Sequence, residues 1–450
     1  MGYFISVLIL ASTLLVPINC SAIDASITPQ KKKGRLLVYS KDSWMSDIKA
    51  VIGSKKISQI VIPGTHDSGT SDIGWTQGWS YILPAAQAAT GKTQTKTIGQ
   101  QLNDGIRYFD LRVEEVAHRD CADPTVFWLN HPSDWGPYRS YSLVSAIDQI
   151  LAYVQDEKHA KEIIILDFQK VEDFYSDARN TAVMFGYVQS RLGPYLLDQS
   201  TPEQEVTSST LNKIWNYNLA KGKKGQILLM TTSGWVDMKV SGCGNSLNGS
   251  LWVSRSSLLN SVYNEAPDTK SLMMEQLAQL NDNWAKAQGR SSYYTDYKNT
   301  LTKGGLNELA FAPRPSDAWF GSTVAAWTAN MLCANSYCPN LLDYSNDINR
   351  DFNVTRETCL TGWLGKRLWM GINRPSGSLN ETSGNWNKPN ILMIDNYDAG
   401  GYWTTVSWDG SNWKRKETGG FVDFVIRLNI NDSPGSKDTV ITSFQDNQCL

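Results

Sequence analysis

Short apolar runs alternate with amphipathic stretches over most of this chain. "QIVIPG" (59–64) and "EIIILDF" (162–168) are continuously apolar, the pattern of strands buried on both faces. "IRYFDLRV" (106–113) instead alternates large apolar with charged residues, the period of a strand with two unlike faces. "VFWLNH" (126–131), "QILLMTT" (226–232) and "NILMIDN" (390–396) are read as further strands. Helices lie between them. "KTIGQQLNDG" (96–105) opens with Thr97 and Gln100 at capping-box spacing and closes on Gly105. "SLVSAIDQILAYVQDE" (142–157) sets Leu143, Ile147, Ile150, Leu151 and Val154 on one helical face. "SLMMEQLAQLNDNWAKA" (271–287) and "FVDFVIRLN" (421–429) are also read as helices, and residues 290–390, rich in Gly, Ser, Asn, Pro and Trp, as long loops. Buried strands interleaved with helices predict an α/β fold, and the length allows a TIM-like (β/α) barrel, distorted or incomplete.

The N-terminus changes the picture of where the chain resides. An apolar run of roughly 15 residues leads to small residues around Cys20, Ser21 and Ala22, short for a membrane span and typical of a secretory signal. "MGYFIS" also fits the bare myristoylation pattern, but the apolar run that follows suits secretion better. The expected division is a signal peptide at 1–22, a polar leader at 23–40 containing "KKK", one catalytic domain at 41–432 and a tail at 433–450. Without Cys20, six cysteines remain, an even number that fits up to three disulfides in an oxidising compartment. Sequons at Asn248, Asn353, Asn380 and, more weakly, Asn431 fit the same route. No apolar stretch ends the chain, so a secreted, unanchored, monomeric protein is expected. With a formal net charge of −2 the chain is not a dedicated nucleic-acid binder, whereas a membrane lipid is not excluded. Some of the 17 tryptophans, with Trp75, Trp79 and Tyr81 as candidates, can serve as an interfacial rim or as loop packing.

Chemistry-bearing residues gather at strand ends. His66 and Asp67 follow the first strand in "VIPGTHDSGT"; Asp110 and Arg112 lie in "FDLR"; His131 ends "WLNH"; Asp167 and Asp395 end "IILD" and "LMID". Two histidines with a fixed cation suit phosphoryl transfer. One imidazole takes a proton from the attacking oxygen, the other returns one to the leaving oxygen, and a guanidinium neutralises the phosphoryl oxygens. Asp167 reads equally as a pocket residue or as a buried, hydrogen-bonded carboxylate. His118 and His159, set among charged residues, read as solvated.

"IPGTHDSGT", "GIRYFDLRV", a strand ending in His131 and a helix leading to "EIIILDF" follow one another in the order of the X domain of phosphatidylinositol-specific phospholipases C, and the chain resembles that family most strongly over 57–170. The resemblance implies a general base at His66 partnered by Asp395, and a general acid at His131 steadied by Asp67. It also implies a phosphate contact at Arg112 and a positioning role for Asp110. The calcium-dependent eukaryotic members carry an acidic residue where this chain has Arg112 and Asn where it has Asp67. The chain therefore looks like the bacterial-type version, which uses neither metal nor cofactor. The implied substrate is an inositol phospholipid or glycolipid at a membrane surface. Two alternatives stay open: a metal-dependent glycerophosphodiester or sphingomyelin phosphodiesterase, and a catalytically silent lipid- or glycan-binding protein. No motif matches the residues that grip the inositol ring, and the insertion with Cys121 before His131 departs from compact bacterial members.

Overall fold

The computed structural model describes residues 39–73, 91–117, 123–132, 138–172, 178–222, 225–237, 241–262, 269–281, 303–311, 389–395 and 418–430, with shorter pieces beside them. The expected signal segment, most of the expected leader, residues 433–450, Trp75, Trp79, Tyr81 and His118 lie outside the described residues, as do Cys333, Cys338, Cys359, Cys449 and the sequons at Asn353, Asn380 and Asn431. Asn248 is described and exposed.

Eight strands form one parallel path. In chain order they are β1 (Ile62–Thr65), β2 (Tyr108–Glu115), β5 (Ile163–Glu172), β6 (Gln226–Thr231), β7 (Trp252–Ser254), β8 (Leu259–Val262), β9 (Leu306–Phe311) and β10 (Ile391–Ile394), with β3 (Phe127–His131) and β4 (Tyr138–Ser142) hanging off β2. Their spatial order is β8-β9-β10-β1-β2-β5-β6-β7, and every neighbouring pair is parallel. The two ends of this order, β7 and β8, are joined by the single helical turn Arg255–Leu258. A sheet whose edges are four residues apart must curl on itself, so the fold is a distorted (β/α) barrel with a seam between β7 and β8. No ladder crosses that seam among the described residues.

Helices cover the outside. α1 (Ile98–Asn103) starts at Thr97, whose hydroxyl accepts from Gln100 N while Thr97 N donates to Gln100 Oε1 at 3.0 Å, and it stops at Gly105 with φ +101°. α2 (Leu143–Val154), capped by Ser142, buries Leu143, Ala146, Ile147, Ile150 and Val154; such a cap is worth about 1 kcal/mol. α3 (Ala178–Leu192), α4 (Leu211–Ala220), α5 (Thr269–Ala278) and α6 (Phe421–Ile430) are the other helices of ten residues or more among the described residues. α5 ends well short of the predicted 287. Among the described residues no helix is long and apolar enough to cross a membrane.

Among the described residues one disulfide, Cys121–Cys243, ties the loop between β2 and β3 to a small hairpin beside α3. His159, read as solvated from sequence, is not. It is buried, its ring stacks on Tyr153 at 3.7 Å, and its Nδ1–H donates to Tyr153 O at 2.6 Å.

Candidate active site

Backbone pairing brings the first two site residues together. β1 and β10 run in register from Ile62↔Ile391 to Thr65↔Ile394, and His66 N continues the ladder by donating to Ile394 O at 3.1 Å. His66 and Asp395 therefore leave adjacent strands at the same level, and His66 Nδ1 lies 2.9 Å from Asp395 Oδ1. The chain then turns. Asp67 takes φ +42°, a left-handed conformation that Asp tolerates better than most residues. Thr70 donates from its N and Oγ1 to Asp67 O at 3.1 and 2.9 Å, which holds the turn.

β2 supplies the next pair. Its period of two puts Tyr108, Asp110 and Arg112 on the inner face, and Phe109, Leu111 and Val113 against the helices. Arg112 Nε pairs with Asp67 Oδ1, and its Nη2 lies 3.2 Å from Asp110 Oδ2 and 3.0 Å from His66 Nε2. A bulge then shifts the β2–β5 register from Leu111↔Phe168 to Arg112↔Lys170. The extra residue, Gln169, returns Lys170 to the face that Asp167 occupies, where its charge helps stabilise the Asp67 carboxylate. Sequence reading did not single out Lys170, because a bulge leaves no mark in the hydrophobic pattern.

His131 arrives by a different route from the one its sequence suggests. β3 is not a barrel strand; it folds back antiparallel on the upper end of β2, with Val113↔Leu129 in register. Gly69 permits this, because a Cβ there would meet the Leu129 side chain at 2.4 Å. The hairpin sets His131 Nε2 3.3 Å from Asp67 Oδ2, while His66 Nε2 lies 3.6 Å from the same oxygen. Asp67, assigned by resemblance to His131, is in fact shared between both imidazoles and Arg112.

The charges act on one another. Burial alone would lower the His66 pKa, but the carboxylates of Asp67 and Asp395 overcome it and push it up to about 9. Burial raises Asp395 to about 6 against the pull of His66. Asp67, although buried, is held below its ordinary value chiefly by Arg112 and then by the histidines. His131 is lowered, first by burial and then by the cations Arg112 and His66, with Asp67 opposing. A single proton shared by the two histidines thus prefers His66.

A second polar cluster lies in the barrel beside the first. Asp167, level with Asp110 on the neighbouring strand, accepts from Tyr108 Oη at 2.7 Å and from Arg255 Nε at 2.8 Å. Tyr108 Oη also lies 2.9 Å from Glu308 Oε2, and Arg255 Nη2 is 3.8 Å from the same oxygen. Burial raises both Asp167 and Glu308, partly offset by Arg255. Asp167 is thus a buried carboxylate that holds a partly exposed arginine. Arg255 and Glu308 were missed from sequence because no motif surrounds them.

His66, Asp67 and Asp110 each offer an atom within 4.8 Å of the others, a spacing that would suit a cation. Arg112 already reaches all three.

No protein-family model matches the chain. Among curated proteins it is 28% identical over 148 residues to the variant-surface-glycoprotein phospholipase C of Trypanosoma cruzi, covering 28% of this chain and 36% of that protein. It is 29% identical over 202 residues to the PI-PLC X domain-containing protein 2 of Mus musculus, covering 41% of this chain and 52% of that one. The chain is similar in sequence to PI-PLC X-domain proteins. It spans between about a third and about half the length of these relatives. A longer match, 24% identical over 331 residues and covering 73% of this chain and 88% of its relative, joins it to the 1-phosphatidylinositol phosphodiesterase of Staphylococcus aureus strain Newman. A solved structure of the S. aureus phosphatidylinositol-specific phospholipase C aligns at a TM-score of 0.47 and 18% identity, over 87% of this chain and 98% of that one.

Proposed function

We propose that this protein is a secreted phosphoric diester hydrolase or lyase that cleaves phosphatidylinositol, or a glycosylated form of it, to diacylglycerol and inositol 1,2-cyclic phosphate. The observation that supports this best is the pair of imidazoles, His66 and His131, both within 3.6 Å of one carboxylate oxygen of Asp67, itself paired with Arg112. His66 Nε2 takes the proton of the inositol 2-hydroxyl, whose oxygen forms the new bond to phosphorus. Arg112 neutralises the phosphoryl oxygens, with Asp110 fixing its guanidinium. His131 protonates the glycerol oxygen as its bond to phosphorus breaks. Asp395 stabilises the His66 imidazolium, and Asp67 couples the two histidines through the transfer. Asp167 holds Arg255 toward the head group. Attack by the ring's own hydroxyl gains its rate from proximity.

The proton preference described above fits this scheme in a specific way. Of the singly protonated species, only the minority with its proton on His131 is productive. A guanidinium can only donate, so the 3.0 Å contact between Arg112 Nη2 and His66 Nε2 is compatible with that minority form, in which neutral His66 keeps its proton on Nδ1 toward Asp395. Activity then follows the singly protonated pair, with a basic limb at the upper titration.

A metal-dependent phosphodiesterase is the second reading, favoured by the close grouping of His66, Asp67 and Asp110. Purified protein assayed on phosphatidylinositol vesicles, with and without a chelator, separates the two. Cyclic inositol phosphate formed equally with chelator supports the first, and chelator-sensitive turnover supports the second. Vesicle binding without any turnover would leave a lipid-binding protein.

A further inference from the structure

Gln94 stands apart from every motif in the sequence, and its side chain is completely buried. Its Nε2 donates to two main-chain carbonyls, His66 O at 2.9 Å and Ile394 O at 3.1 Å. One carbonyl directly follows β1 and the other ends β10. Ile394 directly precedes Asp395, so one amide group clips together the two strand ends that carry the His66–Asp395 pair. The neighbouring Thr93 adds to the clip. Its Oγ1 lies 3.1 Å from His66 O, 3.2 Å from Asp67 O and 2.7 Å from Thr70 Oγ1, around the left-handed turn at Asp67. The ladder between β1 and β10 ends with His66 N on Ile394 O, and beyond that point no backbone pairing between the two strands is described. The side chain of Gln94 takes over where the ladder stops.

We propose that Gln94 is a positioning residue for this site: by bridging His66 O and Ile394 O it sets the distance between His66 Nδ1 and Asp395 Oδ1, and through it the basicity of His66. This rests on the reading of His66 as the base, but the geometry it describes does not depend on the substrate. Only a group with two N–H bonds at the end of a two-carbon stem can reach both carbonyls from this position. Asn would fall one methylene short, and Met would fill the same volume with no donor. The groups that face His66 and compete to set its charge are Asp395, Asp67, Asp110, Arg112 and His131. Of these, Asp395 and Asp67 each follow directly from a carbonyl that Gln94 holds, and Asp395 is the one that hydrogen-bonds His66 Nδ1.

The test uses full-length Gln94→Met beside the unaltered protein, with two independent readouts. The first is the NMR titration of the His66 imidazole without substrate. The clip predicts that its midpoint falls in Gln94→Met, because a looser Asp395 stabilises the imidazolium less, while the His131 midpoint moves less. The second is turnover on phosphatidylinositol vesicles. Here kcat falls about tenfold or more with KM nearly unchanged, since a small misplacement of a reacting group suffices for such a loss. Gln94→Asn should resemble Gln94→Met in both. An unmoved His66 titration in a folded Gln94→Met protein overturns the proposal, whatever the activity. A moved titration with no turnover in the unaltered protein would instead refute the assignment of His66 as the base and leave the clip standing. If Gln94→Met proves unstable, Thr93→Val, which removes one donor from the same turn, replaces it; an unmoved His66 titration there counts equally against the clip.

Discussion

The barrel carries a buried histidine, arginine and carboxylates at each of its two ends, and the two clusters are built on opposite principles. At the N-terminal end, Arg107 and Glu162 are wholly buried and fully matched. Arg107 donates to Glu162 Oε2 at 2.9 Å, to Leu102 O and Ile106 O at 2.8 Å and to Asp42 O at 2.7 Å, and Glu162 also accepts from Ser46 N at 2.8 Å. At the C-terminal end Arg112 is 18% exposed and shares its donors among two carboxylates and a histidine, and Asp110 Oδ1 has no hydrogen-bond partner among the described residues. Matched charges at the closed end hold the fold. Crowded, incompletely matched charges at the open end leave room for a substrate's own charge and shift the pKa values of the groups around them.

Separating activity from stability is the sharpest way to break this contrast. His66→Ala and His131→Ala should each lower turnover by roughly 10²- to 10⁴-fold, the usual reach of general acid–base catalysis. The thermal midpoint of His131→Ala should stay near that of the parent, because that side chain is 22% exposed. His66→Ala also loses the attraction between His66 and its two buried carboxylates and should melt somewhat lower. A large loss of stability, or activity within a few-fold of the parent, would erase the distinction at the open end. Glu162→Gln at the closed end should do the reverse. Leaving Arg107 buried without its counter-charge costs about 3–5 kcal/mol, visible in denaturant unfolding, whereas kcat per folded molecule should be unchanged.

The next effect is a displacement of pH dependence. Asp395 helps lift His66 to about 9, so removing its charge must lower that value. Asp395→Asn should therefore move the basic limb of kcat/KM to lower pH while the acid limb, set by His131, stays close to its place. A limb that does not move would mean that a group other than His66 sets it.

How much of this was open to reading depended on what periodicity can carry. The strands 162–168, 226–232 and 390–396 and the capped helix at 97–105 were legible because each is long, apolar or capped in its own right. His66 and Asp395 were also read at strand ends, and the structure places them there. The direction of β3 was not legible, since period-two alternation looks alike in parallel and antiparallel strands, and so His131 was placed on the wrong kind of strand. β7 and β8 are too short for a periodic signal, and β9 hides its burial behind Asn307 and Glu308, polar residues buried by contacts from distant strands. Gln94 lies in a polar stretch whose meaning comes from two carbonyls on strands far apart in sequence. Asp67 kept the neighbourhood assigned to it but serves both histidines.

His159 gives the smallest and most delicate test, because its own sequence context misled. Charged neighbours at 156–158 suggested solvent, yet the ring stacks on Tyr153 six residues earlier and its Nε2 lies 3.7 Å from Asp42. If it belongs to the matched end, its work is packing plus one hydrogen bond. His159→Phe keeps the stacking surface and removes the Nδ1–H donated to Tyr153 O. It should cost on the order of 1 kcal/mol, the net worth of a typical buried hydrogen bond, with kcat and its pH profile unaltered. A shift of the pH profile in His159→Phe would show that the two ends of the barrel are coupled, and that the closed end does more than hold the fold.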